Sequence, residues 1–221
     1  MNKDFEDDFD QSKKFTGEPF HPVRWARMVL GENQLKLFDY VKQQHGDQVR
    51  KYTGEPYYNH LYQVAELASQ YEDGCVEVAL CHDLFEDTKC DFNALYKAMA
   101  DIGYDAKFAY KTCTHVKELT DEFTHEKYPY FNRDKRKLNE AARLGSISYL
   151  AQTVKYADLI NNTSTIVQYD HGFARKYLQE KERILQVMTK GNPLLFQICS
   201  ETLTQALNDQ QLRDNKATTS V

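Results

Sequence analysis

The spacing of its apolar residues limits this chain most: they recur at intervals of three and four over nearly the whole length. That period lays one stripe of each segment against a core, whereas a half-buried strand needs strict alternation, and no alternating run here lasts long enough to compete. Leu35, Phe38 and Val41 form one stripe, Leu61, Val64 and Leu67 a second, and Val76, Ala79 and Leu80 a third. Phe92, Leu95, Tyr96 and Met99, then Val116 and Leu119, predict two more helices. Ile147, Leu150 and Val154, then Tyr177, Ile184 and Val187, and finally Leu194, Leu195 and Ile198 complete the series. Gly54, Gly74, Gly103, Gly145, Gly172 and Gly191 separate the segments, and Pro56 and Pro193 fall where helices begin and a missing N–H costs nothing. The expected fold is all-α, a helical bundle with short connections.

With 221 residues, 41% of them hydrophobic, the chain can bury a sizeable core without disulfides. The expected organisation is a polar N-terminal arm over 1–24, a single domain over 25–208 and a flexible tail over 209–221. No stretch approaches the roughly 18 uncharged apolar residues of a membrane helix, and the acidic start, with Asp4, Glu6, Asp7, Asp8 and Asp10, lacks the order of a secretion signal. A cytoplasmic protein is expected. Cys75, Cys81, Cys90, Cys113 and Cys199 are odd in number and form no CxxC pair, which points to reduced, buried thiols. A formal net charge of -5 argues against a general nucleic-acid binder, which needs a broad positive surface; a small anionic ligand needs only a local basic cluster.

One segment concentrates ionisable groups: Cys81-His82-Asp83-Leu84-Phe85-Glu86-Asp87-Thr88, directly after the stripe of Val76, Ala79 and Leu80. An adjacent His-Asp pair at the end of a buried helix sets an imidazole and a carboxylate where both reach one ion. Glu86 and Asp87 follow at three and four residues and share its side if the helix continues. By itself such a pair reads better as a solvated helix end; apolar Leu84 and Phe85 between the two polar pairs, and the candidates elsewhere, change the case. His60 stands one residue before the second stripe, where a capping or packing role is commoner than ligation. Asp158 follows Val154 by four residues, so a helix carries its carboxylate toward the core, where an unpaired charge costs several kcal/mol and a cation or an Arg must answer it. Asn162 lies one turn further on the same face.

Taken together these residues resemble the HD superfamily, and within it the hydrolase domain of the RelA/SpoT alarmone enzymes and the Mesh1-like small alarmone hydrolases. Arg50-Lys51 followed by Gly54-Glu55-Pro56-Tyr57-Tyr58-Asn59-His60 is similar to that family's basic pair and G-x-P-Y-x-x-H element. His82 to Thr88 matches H-D-x-x-E-D-T without a gap, Glu118 to Asp121 resembles E-x-T-D, and Lys155 to Asp158 with Asn162 resembles K-x-A-D-x-x-x-N. The motifs keep family order from about Leu35 to Val187. Two positions depart: Leu159 stands where the family usually has Lys or Arg, and Asn161 where it often has His or Tyr.

The resemblance implies an HD bundle in which His60, His82, Asp83 and Asp158 bind one divalent metal, most often manganese, with iron or zinc also compatible with two imidazoles and two carboxylates. It implies that Glu86 and Asp87 position or activate the attacking water, that Arg50 and Lys51 meet substrate phosphates, and that Asn162 contacts the nucleoside. The implied reaction is removal of the 3′-pyrophosphate from (p)ppGpp or (p)ppApp, or of a phosphate from NADPH. Hydrolysis of an ordinary (deoxy)nucleotide is the second reading, and a non-catalytic nucleotide-binding protein the third. The basic run Arg133, Lys135, Arg136 and Lys137 is interleaved with Asp134 and Glu140 and reads as a solvated helix face.

Overall fold

The structure, a computed structural model, describes residues 28–219; the arm expected over 1–24 lies outside the described residues. Ten helices follow one another: α1 (Glu32–His45), α2 (Tyr57–Ser69), α3 (Cys75–Cys81), α4 (Leu84–Asp87), α5 (Phe92–Ile102), α6 (Ala106–Leu119), α7 (Arg133–Leu144), α8 (Tyr149–Tyr169), α9 (His171–Val187) and α10 (Pro193–Thr219). The described residues contain no strand, only an isolated antiparallel bridge between Val49 and Pro56. The fold is thus the expected all-α bundle.

Helices α2, α3 and α8 pack on one another at the centre. On one side α1, α5 and α6 cover them, and on the other α9 and α10 close over α8, with α7 outside α9. Leu61, Val64 and Leu67 of α2, Ala79 and Leu80 of α3, and Val154, Tyr156 and Leu159 of α8 belong to one continuous core. The stripe expected for α8 is only part of its buried surface. Ile147 precedes the helix, Leu150 is half-buried, and burial runs around α8 through Ala151, Gln152, Thr153, Ala157 and Asp158. A helix enclosed on all sides carries no single apolar stripe, which is why the periodicity there is faint.

Side chains cap the helices that matter here. Ser148 accepts from Ala151 N at the start of α8, and Asp170 from Phe173 N at the start of α9. The expected C-terminal tail is instead helical. α10 runs through Thr219, Gln210 is buried and donates to His171 O (3.3 Å), and Arg213 donates to Val167 O (3.1 Å). Polar side chains secure its last turns, so an apolar count misses them. All five cysteines are buried thiols. No helix among the described residues is long and apolar enough to cross a membrane.

Candidate metal centre

The turn entering α2 is built by backbone geometry. Gln48 O accepts from Tyr57 N (2.9 Å), Arg50 N donates to Glu55 O (2.8 Å), and Gly54, at φ +71, donates to Arg50 O (3.0 Å). A left-handed residue is required there, and glycine adopts that conformation without a Cβ clash. The loop presents Arg50 and leads into the first turn of α2, which carries Tyr57 and His60.

The centre forms where α2, the α3–α4 junction and α8 meet. His60 and His82 are each 1% exposed, Asp158 4%. His60 Nε2 lies 3.2 Å from Asp158 Oδ1 and 3.8 Å from Asp83 Oδ2; His82 Nε2 lies 3.1 Å from Asp83 Oδ2 and 3.7 Å from Asp158 Oδ1. Ligand atoms of His60, His82 and Asp83 all lie within 4.8 Å of one another, a cluster that can hold a metal ion. Donors about 2.1 Å from one ion stand roughly 3–3.5 Å apart, and these spacings suit that arrangement.

The histidine tautomers suit it as well. His82 Nδ1 lies 2.7 Å from Ala79 O, which can only accept, so Nδ1 carries the proton. His60 Nδ1 lies 2.8 Å from Asn161 Oδ1, an atom that also accepts from Arg50 Nη1 (2.7 Å). Arginine only donates, which fixes that atom as oxygen and makes His60 Nδ1 a donor too. With Nδ1 of each ring committed to an acceptor oxygen, Nε2 is the atom left to face the centre. Both Nε2 atoms are buried and neither meets a carboxylate at hydrogen-bonding geometry. Two buried, unsatisfied imidazole nitrogens facing two carboxylates are a set that a divalent cation completes.

The two carboxylates draw positive charge to this spot, which a proton on His82 or a cation among the four groups supplies. Burial alone would lower the His82 pKa, but Asp83 and Asp158 outweigh it and hold the value well above the ordinary one. Burial would raise Asp158, yet Lys155, His60 and His82 keep it well below the usual carboxylate range. Asp83 is likewise lowered against burial, chiefly by His82. Tyr57 donates to Asp83 Oδ2 (2.6 Å), and Asn162 Nδ2 (2.6 Å) and Lys155 Nζ (2.9 Å) reach Asp158.

The remaining expected residues divide. The helix does not continue through Asp83, whose φ of -100 and ψ of 0 interrupt it, and α4 is a single turn. Glu86 and Asp87 consequently diverge. Glu86 faces Asp121 and accepts from its backbone N, and crowding by surrounding chain and by Asp121 pushes its carboxyl up to about 7. Asp87, exposed as Glu86 is, accepts from Gln48 Nε2 (3.0 Å), and the Gln48 amide oxygen meets His45 Nδ1 (2.8 Å). Arg50 and Asn162 join behind the ligands, Arg50 Nη2 donating to Asn162 Oδ1 (2.9 Å). Lys51 does not join them: its side chain is 77% exposed, and its Nζ reaches Tyr52 OH (3.2 Å) and Asp170 (4.0 Å). Leu159 is 2% exposed in the core, so the family's basic residue has no counterpart at the cleft from that position. The run 133–137 is only partly a solvated face. Arg133 forms a bidentate pair with Glu180 (2.7 and 2.9 Å), Lys135 lies over the Phe131 ring and Arg136 holds Phe131 O, while Lys137 turns inward to Asp121 (2.9 Å).

Sequence reasoning missed Asn161 as the residue that orients His60. Asn161 Nδ2 donates in turn to Gln63 Oε1 (2.7 Å) on α2, where His60 also lies. The departure of this position from the family pattern was the available signal.

An all-α bundle with two histidines and two aspartates from three elements meeting in its centre is the class that fold and site define. In fold the chain is similar to a solved structure described as a metazoan ortholog of SpoT that hydrolyzes ppGpp and plays a role in starvation responses, with a TM-score of 0.65 and 22% sequence identity, over 80% of this chain and 97% of that one. No protein-family model matches the sequence, and no curated protein does.

Proposed function

We propose that this chain is a metal-dependent phosphohydrolase that removes the 3′-pyrophosphate from a guanosine or adenosine alarmone, (p)ppGpp or (p)ppApp. The observation that carries the reading is the pair of buried, unpartnered Nε2 atoms of His60 and His82 facing Asp83 and Asp158. The similarity in fold to a protein that hydrolyzes ppGpp supports the choice of substrate.

In this reading His60, His82, Asp83 and Asp158 hold one divalent ion, manganese by family resemblance. When bound, the ion supplies Lewis-acid polarisation of a phosphoryl oxygen and brings the pKa of water from ~15.7 toward ~7. Glu86 is the general base. A carboxyl near 7 is half ionised at neutral pH, so it can accept a proton from the attacking water and still hand it on, a role that typically adds about a hundred- to ten-thousand-fold. Water oxygen bonds to the phosphorus attached to the 3′ oxygen, that P–O bond breaks, and the ribose 3′ oxygen leaves with the electron pair and takes up a proton. Asp87, held by Gln48, orients water at the rim; Arg50 and Asn162 brace the centre and meet the nucleoside side. The reading goes with a cytoplasmic enzyme, in keeping with reduced thiols and a nucleotide substrate.

The test is a panel of ppGpp, ppApp, NADPH and dNTPs with purified protein and Mn²⁺, together with metal content. Stoichiometric metal, release of pyrophosphate from ppGpp or ppApp, and loss of both metal and turnover in Asp158→Ala are expected. Turnover of dNTPs alone would make it an ordinary nucleotide hydrolase, and metal retention in Asp158→Ala would remove Asp158 from the ligands.

A further inference from the structure

Beside the metal centre lies a second wall that the roles above leave unused. Lys137 of α7, Lys155 of α8 and Lys181 of α9 come from three helices to one region around Asp121. Lys155 is spoken for by Asp158 (2.9 Å) and Lys137 by Asp121 (2.9 Å). Lys181 has no carboxylate within ion-pair distance among the described residues; its Nζ stands 4.9 Å from the Tyr177 ring centroid, one helical turn earlier. The Tyr177 residue is 7% exposed, and its hydroxyl is buried without a hydrogen-bond partner, since Thr163 approaches it at no bonding geometry. That hydroxyl lies within electrostatic reach of Asp158, Lys155 and Arg50.

A half-buried ammonium beside two others is costly. Burial, then Lys155, then Lys137, pulls the Lys181 pKa down to about 8, and Asp158 and Asp121 only partly oppose this. A divalent ion at the centre adds two positive charges to Arg50, Lys137, Lys155 and Lys181 against the carboxyls of Asp83, Glu86, Asp87, Asp121 and Asp158, so the balance is positive. An unpaired lysine and an unpaired hydroxyl on one helix face, in a wall of that sign, match a compact polyanion with several acceptor oxygens.

We propose that Lys181 and Tyr177 of α9, with Lys137 and Lys155, form a cradle for a pyrophosphoryl group, holding it in the substrate and as the released product. The inference rests on the phosphohydrolase reading and assigns Lys181, Tyr177 and Lys137 as substrate-binding residues. Arg50, committed to Asn161 and Asn162, is not the main anion contact.

The test is calorimetric titration of inorganic pyrophosphate into the full chain carrying one equivalent of Mn²⁺, for wild type, Lys181→Met, Lys181→Arg, Tyr177→Phe and Lys137→Met. Lys181→Met and Lys137→Met are expected to weaken pyrophosphate at least about tenfold, Tyr177→Phe about three- to tenfold, and Lys181→Arg to recover most of the affinity, consistent with charge-assisted hydrogen bonds. Lys181→Met should keep its metal and melt no lower than wild type, because it removes a charge that burial disfavours; this separates a binding role from a structural one. Pyrophosphate affinity within twofold of wild type in Lys181→Met, or no pyrophosphate binding by wild type, overturns the cradle. Lysine-dependent pyrophosphate binding without alarmone turnover would sink the proposed substrate and leave the cradle standing. Alarmone turnover with unchanged KM in Lys181→Met, together with unchanged pyrophosphate affinity, would do the reverse.

Discussion

Asn161 Oδ1 receives both His60 Nδ1 and Arg50 Nη1, so one amide sets an imidazole's tautomer and anchors a half-buried guanidinium. Partners that orient metal-binding histidines are typically worth about 10- to 100-fold in metal affinity. Asn161→Ala should therefore weaken Mn²⁺ binding by about that factor with the helical content unchanged; a change under about twofold would show that His60 is oriented by packing alone. Glu86 offers a pH test of a different kind. Its folded-state value of about 7 lies above the ordinary 4.5, so the folded chain holds that proton more tightly than the unfolded chain. The stabilisation is whole below about 4.5 and lost as pH climbs through about 7. Metal-free Glu86→Gln should then gain in melting temperature over wild type as pH goes from 5 to 7.5, and a constant offset would contradict the shift. If Glu86 is the proposed general base, wild-type kcat/KM should rise over the same interval, because a base works only when ionised.

Helix junctions give the sharpest contrasts in stability. A Cβ on Gly191, at the entry to α10, would lie 2.4 Å from Tyr156 Cε2 and 2.9 Å from Thr153 N. Tyr156 cannot easily yield, since its hydroxyl donates to Met188 O (2.6 Å). Gly191→Ala should cost about 1–3 kcal/mol in chemical denaturation. Gly172, in the first turn of α9, meets only Asp170 Oδ1 at 4.0 Å, and Gly172→Ala should stabilise by about 0.5–1 kcal/mol. The sequence reading treated both glycines alike as breakers, yet α8 and α9 are nearly continuous through Asp170 and need none. Amphipathic α2 and α5 could be read directly from apolar spacing, because each buries one face. Enclosed α8 and polar-anchored α10 could be read only in part. In the candidate site, His60, His82, Asp83 and Asp158 were expected from ordered motifs, each with a local signature, and the structure brings the four together. Tyr177 and Lys181 have none, and Asn161 only its departure from the family pattern: their significance comes from side chains on other helices, and for Asn161 the partner His60 lies 101 positions away.

Three separate segments contribute to the candidate metal centre, so an ion bound there would act on the folded state as a whole. A ligand that binds only the native chain stabilises it by about 2.7 kcal/mol at a hundredfold excess over Kd, or roughly 5–10 °C for a chain of this size. Mn²⁺ should raise the melting temperature of wild type by about that amount, EDTA should reverse it, and Asp158→Ala should show no rise; an equal rise in the variant would mean the ion binds elsewhere. The shared oxygen of Asn161 carries this one step further. An acceptor divided between two donors serves each less well than one kept to itself. If an arriving nucleotide draws Arg50 away through its nucleoside, the amide oxygen reverts to His60 alone, making its ring a better electron donor. The cation and the anion would then bind with positive cooperativity, each held harder in the presence of the other, and by thermodynamic reciprocity the gain must be the same from either side.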